Sequence, residues 1–372
     1  MHLRNRLALG LCILASARAA PSAEPPGEVL QLPAVKVTET APLQKQAEFQ
    51  LREARYGAAA VSLGDYIYVI GGSNDRGTPL DSVERFDPRT GRSEEFARLK
   101  VARRQHRAVV VDGKIYVLGG SSYVPAVPVD AEGHALDDPD EGSTGAGVER
   151  AGSFMVPPRH ISTNPLEFTV EVIDPATRSV TFAPSMPMAK ARFSCATIGG
   201  LIYVIGGIRQ RGDYLVTTNT TEVFDPRTGH WAAGVNMPTP RQSDAAAVGD
   251  FIVVAGGRLR RSELSTVESY FPAGKVWRRL PALAETANPS SVVFLGHQLY
   301  LFGVAGGKRI VTYDLVAKVS RVYPLAYEYA QYAATVVHDG KIFLLGGAAI
   351  EGQIALSSIQ VFAPPAAAKA GG

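Results

Sequence analysis

Residues 66–72 read YIYVIGG, an aliphatic and aromatic run that stops on a pair of glycines. The same run returns as IYVLGG at 115–120, IYVIGG at 202–207, FIVVAGG at 251–257, LYLFGVAGG at 299–307 and IFLLGG at 342–347. A recurrence of roughly 40 to 50 residues is the period of a four-stranded propeller blade. Upstream of the runs lie small and β-branched residues: AAAV at 58–61, AVVV at 108–111, AAAV at 245–248 and AATV at 333–336. These are expected to form strand A, crowded around a central axis. Between them and the glycine-ended strand B sit Gly64-Asp65, Asp112-Gly113, Gly199-Gly200, Gly249-Asp250, Gly296-His297 and Asp339-Gly340. Such pairs tolerate the positive φ of tight hairpins, so A and B are antiparallel neighbours.

Strand C follows as VERFDP at 83–88, VEVIDP at 170–175 and TEVFDP at 221–226, with turns such as DPRTG at 87–91 and 225–229. Strand D comes next and includes Trp231 and Trp277, bulky enough for the gap between blades near the rim. This order of apolar strand, double glycine, Val-Glu-x-Phe-Asp-Pro, Thr-Gly and Trp resembles the kelch repeat over residues 44–363, in its exported bacterial form. The expected fold is therefore all-β, a six-bladed kelch-type β-propeller with four antiparallel strands per blade. Three departures stand out: Gly303-Val304 in place of a glycine pair, Arg178 in place of a turn glycine, and blades without tryptophan.

The sixth copy, ending at residues 358–362, owns strands A, B and C but no D. Residues 46–51 (QAEFQL) match the D strand of the first blade at 94–99 (EEFARL). Residues 45–52 are thus expected to complete the last blade, closing the ring and removing its open edges.

The chain has 372 residues, 46% hydrophobic and 20% charged, which is ordinary globular material. Residues 1–19 differ in kind: His2, Arg4 and Arg6 precede an apolar run at 7–15 and small residues around Ala17 and Ala19, as in a secretory signal peptide. Removing them takes three arginines from 38 basic residues and leaves a balance with 35 acidic ones. A near-neutral mature chain has no overall field for nucleic acid or an anionic membrane, and the leader is too short for a membrane anchor. Only Cys195 remains beyond it, so no intrachain disulfide is expected. Residues 20–42 read as a Pro/Ala-rich spacer, 43–363 as the propeller and 364–372 as a disordered tail. The expected location is periplasmic or secreted.

In an up-and-down blade the D-to-A and B-to-C connections share one face. The D-to-A crossings carry Arg55, Arg103 with Arg104, Arg192 and Arg241, while blades five and six have Asn288 and Tyr332 there. A partial ring of guanidinium groups suits carboxylates, phosphates or acidic peptides. In animal kelch adaptor proteins, arginines at similar loop positions grip acidic peptides, which is what the resemblance implies here. The competing reading has these arginines cap loop carbonyls and brace adjacent blades. An insertion in blade two, at 121–167, lands on the same face. It carries Asp130, Glu132, His134, Asp137, Asp138, Asp140 and Glu141, whose spacing does not match a calcium loop and reads as a solvated acidic segment.

No zinc-protease helix, nucleophile elbow or phosphate-binding loop is present in the sequence, no histidines pair by spacing, and neither a cofactor nor a metal is expected. The leading expectation is an exported binding module for a protein or glycan ligand. Periplasmic sialic acid mutarotases also resemble this chain, and a sugar epimerase would need an acid-base pair, for which His106 and Asp244 are the candidates. The third reading is a purely structural envelope scaffold.

Overall fold

The computed structural model describes residues 43–122, 165–211, 214–289, 291–304, 307–349 and 354–365. The expected leader and spacer, the C-terminal residues from 366 and most of the expected blade-two insertion, with its acidic cluster, lie outside the described residues.

Six four-stranded antiparallel sheets form the blades of a propeller. In the first, Ala59–Leu63, Tyr66–Ile70, Ser82–Asp87 and Arg92–Arg98 are strands A to D. The six A strands, Ala59–Leu63, Arg107–Val111, Ser194–Ile198, Ala245–Val248, Ser291–Leu295 and Ala334–His338, each pack against the next, and the sixth against the first. The small residues expected there are what lets six strands converge. Strand B is almost entirely buried in every blade, because it is covered by the sheets on both sides.

The sixth sheet consists of Ala334–His338, Lys341–Leu345, Ser358–Ala363 and, at its outer edge, the N-terminal strand Gln44–Gln50. That strand runs antiparallel to its neighbour with Phe49 opposite Ile359, as the sequence match implied. Phe49 then reaches the first blade. Its ring lies 5.4 Å from that of Phe86, and a Cβ on Gly91 would meet the ring at 2.6 Å. Gly91 thus serves two needs: a left-handed turn at φ 71° and room for the closing strand.

Five of the six joints between blades use the double glycine, the joint after blade five having Gly303-Val304 instead. The N–H of Gly72 donates to the carbonyl of Arg103 in the next blade at 2.9 Å, Gly120 to Lys190 at 2.7 Å, Gly207 to Arg241 at 2.8 Å, Gly257 to Ala287 at 2.8 Å and Gly347 to Arg55 at 2.8 Å. A Cβ on the preceding glycine would collide with that carbonyl, at 2.6 Å for Gly71 and 2.4 Å for Gly346. The crossing segment sits so close that only glycine fits beneath it.

The residue whose carbonyl docks there also turns its side chain into its own blade. Arg103 Nη1 donates to the carbonyls of Gly119 and Thr169, and Nη2 to Glu171 at 2.6 Å. Arg55 repeats this with Gly71, Ser82 and Glu84, the last at 2.5 Å, and Arg241 with Gly256, Thr266 and Glu268. Lys190 Nζ does the same to Glu222 at 2.5 Å. In each case the acid is the glutamate of the strand C motif. Burial pulls the pKa of Arg103, Lys190 and Arg241 down, and the facing glutamate opposes that pull.

The two partners vary together within this one chain. Blades one to four have a cation and a glutamate, whereas blade five has Ala287 with Val311 and blade six has Ala330 with Gln360. Gln360 instead bonds the backbone of Glu328 through both its amide groups, at 2.8 and 2.9 Å. Removing one partner of a buried ion pair leaves an uncompensated charge.

Arg178 adopts φ 56°, as do Lys275 at 49° and Lys318 at 57° in the same turn of blades four and five. The turn therefore keeps its left-handed residue whether or not that residue is glycine. The two tryptophans tie blades together: Trp231 Nε1 donates to the carbonyl of Pro184 at 3.0 Å and Trp277 Nε1 to that of Val235 at 2.8 Å.

Arg241→Ala is expected to cost about 3–5 kcal/mol in urea unfolding. Adding Glu268→Val, which recreates the blade-five pair, should recover at least half of it; a double variant no better than the single one would refute the brace. Deleting residues 43–53 should turn the single unfolding transition into an early, broad one, and a deletion that melts like the parent would refute closure by the N-terminal strand.

Candidate functional site

The brace assigns three of the expected ligand-binding arginines to the interior. Arg55, Arg103 and Arg241 have no exposed surface, and their donors are engaged by carbonyls and glutamates. The alternative sequence reading, in which they brace blades, describes them. Arg192 was aligned with them, but the structure places Lys190 at that position, because it is the carbonyl of Lys190 that docks on Gly120. Lys190 was not singled out from sequence. The signal was present in Glu222 of TEVFDP, which required a cationic partner in the same blade.

In blades one, two, three and six, the residues two positions beyond Arg55, Arg103, Lys190 and Ala330 form an inner collar at the channel mouth. Gly57 N–H donates to the carbonyl of Tyr332 at 2.8 Å, Gln105 to Gly57 at 2.7 Å and Arg192 to Gln105 at 3.0 Å. All four residues have positive φ: 65° at Gly57, 54° at Gln105, 55° at Arg192 and 55° at Tyr332. Glycine adopts this conformation freely, whereas a side chain there costs about 1 kcal/mol or more. Three blades thus carry a side chain at a position where blade one shows glycine to suffice.

Those side chains converge. Gln105, Arg192, Tyr332, Gln242, Arg258 and Asn288 line the neck above the axial channel. The Arg192 guanidinium donates from Nε to Gln105 Oε1 at 2.9 Å and from Nη1 to Gln242 Oε1 at 3.3 Å, and lies 6.0 Å from the Tyr332 ring centroid. No carboxylate among the described residues forms an ion pair with it. Its pKa is held below the usual arginine value, first by burial, with Tyr332 opposing that pull and the like charges of Arg104 and Arg258 adding to it. The half-buried Arg104 faces Tyr56 Oη at 3.4 Å. The structure thus brings together Arg104, Arg192, Asn288 and Tyr332 of the expected set.

Beside the neck opens a cleft of about 1020 Å³. It lies against two short hairpins that grow from the B-to-C connections of blades three and four, Ile208–Arg211 with Tyr214–Thr217 and Arg258–Leu259 with Ser262–Glu263. These hairpins were not anticipated from sequence. Tyr214 and Leu215 are exposed at the tip of the first, and Arg260, at φ 57°, turns the second.

The expected acid-base pair is divided. His106 is fully enclosed between blades one and two, its Cβ against Gly120 and its ring against Gly71. Burial, then the charges of Arg103 and Arg107, drive its pKa well below 6.5. Asp244 instead lines the axial channel, where it pairs with Arg107 at 3.2 Å and accepts from the Val292 N–H at 3.2 Å. Cys195 also lines that channel, and burial lifts its thiol to about 12, so it stays protonated and unreactive. Among the described residues no group of three or more His, Cys, Asp or Glu is placed to hold a metal ion.

Comparison with known proteins agrees with this architecture. The Kelch motif matches residues 54–100, 102–128 and 189–238. Kelch-like protein terF of Aspergillus terreus is 26% identical over 333 residues, covering 82% of this chain and 64% of that protein. Human Kelch-like protein 34 is 26% identical over 191 residues, 47% of this chain and 28% of that one. Rat Kelch domain-containing protein 8B is 29% identical over 143 residues, 36% of this chain and 40% of that protein. The chain thus spans less than two thirds of the length of these relatives. The solved structure titled "Structure of YjhT" superposes with a TM-score of 0.62 at 13% identity, over 84% of this chain and 96% of that one. This likeness concerns the fold.

The enclosed imidazole has a consequence for stability. Its folded pKa lies below its unfolded value of about 6.5, so the unfolded chain takes up the proton first and stability falls as pH drops below about 6.5. His106→Phe, which copies Phe193 at the equivalent position of blade three, is expected to flatten that part of the pH profile. An unchanged slope between pH 6.5 and 5 in urea titrations would refute the assignment.

Proposed function

We propose that this chain of kelch repeats is a binding module that holds an anionic group of a protein or glycan partner at the mouth formed by its D-to-A and B-to-C connections. One observation carries the reading. Arg192 occupies a left-handed position that blade one fills with glycine, and it is held by neutral amides beside two further arginines. Backbone strain and unneutralised positive charge are each unfavourable to the folded state; a bound anion would relieve the second and so give the strained position a use. The neutral amides aim the guanidinium without neutralising it. The same proposal has this activity outside the cytoplasm, periplasmic or secreted, a reading supported by the leader-like composition of residues 1–19.

A sugar mutarotase or epimerase of the sialic acid type would need a proton donor and acceptor open to one substrate. The enclosure of His106 and the pairing of Asp244 with Arg107 favour binding over that alternative. A purely structural scaffold would draw from Arg192 only its bonds to the amides of Gln105 and Gln242, which need no net charge on the donor.

Arg192→Gly tests the reading because folding and binding should move apart. The variant is expected to be as stable as the parent, or more stable by up to about 1 kcal/mol, through relief of the positive φ. Its affinity for a glutamate-rich peptide or a sialylated trisaccharide, followed by fluorescence anisotropy at low salt, should fall about 10- to 100-fold. Equal affinity in parent and variant, or no binding of either probe by the parent, would reject the proposal.

A further inference from the structure

One layer of the strand A ring departs from the repeat in two blades. Pairing with strand B places Ala59 opposite Ile70, Ser194 opposite Ile205, Ser291 opposite Phe302 and Ala334 opposite Leu345. At the same register blade two has Arg107, opposite Leu118, and blade four has Asp244, one residue before the pair of Ala245 with Val254. Four blades build this layer from alanine or serine, so the ring needs no charge there. Taking a cation and an anion out of water is unfavourable unless both are well matched.

The match between these two is incomplete. Arg107 Nε lies 3.2 Å from Asp244 Oδ1, yet it is buried without a hydrogen-bond partner among the described residues. The guanidinium donates instead from Nη1 to the carbonyl of His106 at 3.3 Å. Asp244 accepts from the N–H groups of Ala245 at 2.9 Å and Val292 at 3.2 Å, which leaves a lone pair on each oxygen. Both side chains border a cavity of about 160 Å³ to which all six blades contribute, walled also by Ala60, Cys195, Ser291 and Thr335. It adjoins the neck, because Ala58, Arg107 and Ala333 border both spaces.

A cavity of about 150 Å³ accommodates benzene, so this one suits a solute of about six non-hydrogen atoms. A neutral solute would separate Arg107 from Asp244 and neutralise neither. A lone carboxylate would satisfy Arg107 but meet Asp244 with like charge, and a lone amine would do the reverse. A zwitterion answers both, its carboxylate accepting from Arg107 and its ammonium donating to Asp244. The small walls at Ala60 and Cys195 restrict what else it carries.

We infer that the axial channel holds a free α-amino acid of the size of glycine, alanine or serine, its carboxylate on Arg107 and its ammonium on Asp244. The site does not rest on the anion reading of the mouth, since Arg107 and Asp244 lie level with strand A, beneath the collar of Gln105, Arg192 and Tyr332.

Calorimetric titration of the full chain with glycine, L-alanine and L-serine tests this. At least one is expected to bind with a Kd of about 10–500 μM. Propionate and ethylammonium, the two halves of alanine, and glycerol should each bind at least about tenfold more weakly than alanine. Arg107→Ser with Asp244→Ser, which copies the uncharged layer of blades three and five, is expected to melt within about 5 °C of the parent and to bind at least about 100-fold more weakly. Asp244→Asn should reverse the order, taking propionate in preference to alanine. Arg192→Gly should bind alanine as the parent does, and loss of binding there would move the amino acid to the collar, against the inference. Absence of binding by all three amino acids at millimolar concentration, propionate or glycerol binding the parent as tightly as alanine, a double-serine variant equal to the parent, or an Asp244→Asn variant that keeps the parent's order would each overturn it.

Discussion

Five of the six blade joints in this propeller depend on one close approach: a carbonyl from the crossing segment of one blade presses onto the double glycine of the blade before it. That contact forbids a Cβ at the first glycine and takes a hydrogen bond from the second. It also sets where the docking residue's side chain must go, back into its own blade toward the strand C glutamate. A single residue therefore joins two sheets, by its backbone to one and by its side chain to the other. In four blades that side chain is cationic, and the low dielectric of its surroundings makes the matching acid obligatory.

The same constraint organises the mouth. In blades one, two, three and six the residue two positions beyond the crossing carbonyl is left-handed, and in the last three of these its side chain reaches the opening. Blade one answers with Gly57. Blades two, three and six keep Gln105, Arg192 and Tyr332 despite the conformational cost, and these three meet at the neck. Stability and the proposed recognition thus fall to neighbouring residues of one short segment. Arg103 is buried and structural, whereas Arg104 beside it faces the cleft.

This adjacency explains which parts of the site were legible. That arginines cluster on the D-to-A face follows from their spacing to strand A. Which of them point outward does not, since burial depends on a one- or two-residue offset relative to the docking carbonyl. Arg192 and Lys190 illustrate the difficulty: both are cations in the same crossing, and only the hydrogen bond from Gly120 identifies the brace. His106 was similarly placed beside two arginines in sequence, yet its side chain faces the interior between blades. The blade-three hairpin had a turn pair in sequence at Gly212-Asp213, whereas that of blade four lay in polar sequence without one, Arg260 supplying a positive φ that glycine or asparagine would normally announce.

By itself the sequence determined the blade count, the four-strand unit, the antiparallel A–B hairpins and the closure of the last sheet by residues near 44–50. These follow from local periodicity and turn chemistry, which are short-range properties repeated six times over. Only the tertiary structure decided which charges are buried, which are free to meet a ligand, and how a cleft comes to lie beside them. Those outcomes depend on how far one blade rotates against the next, and the interatomic distances that result are not encoded in any single repeat.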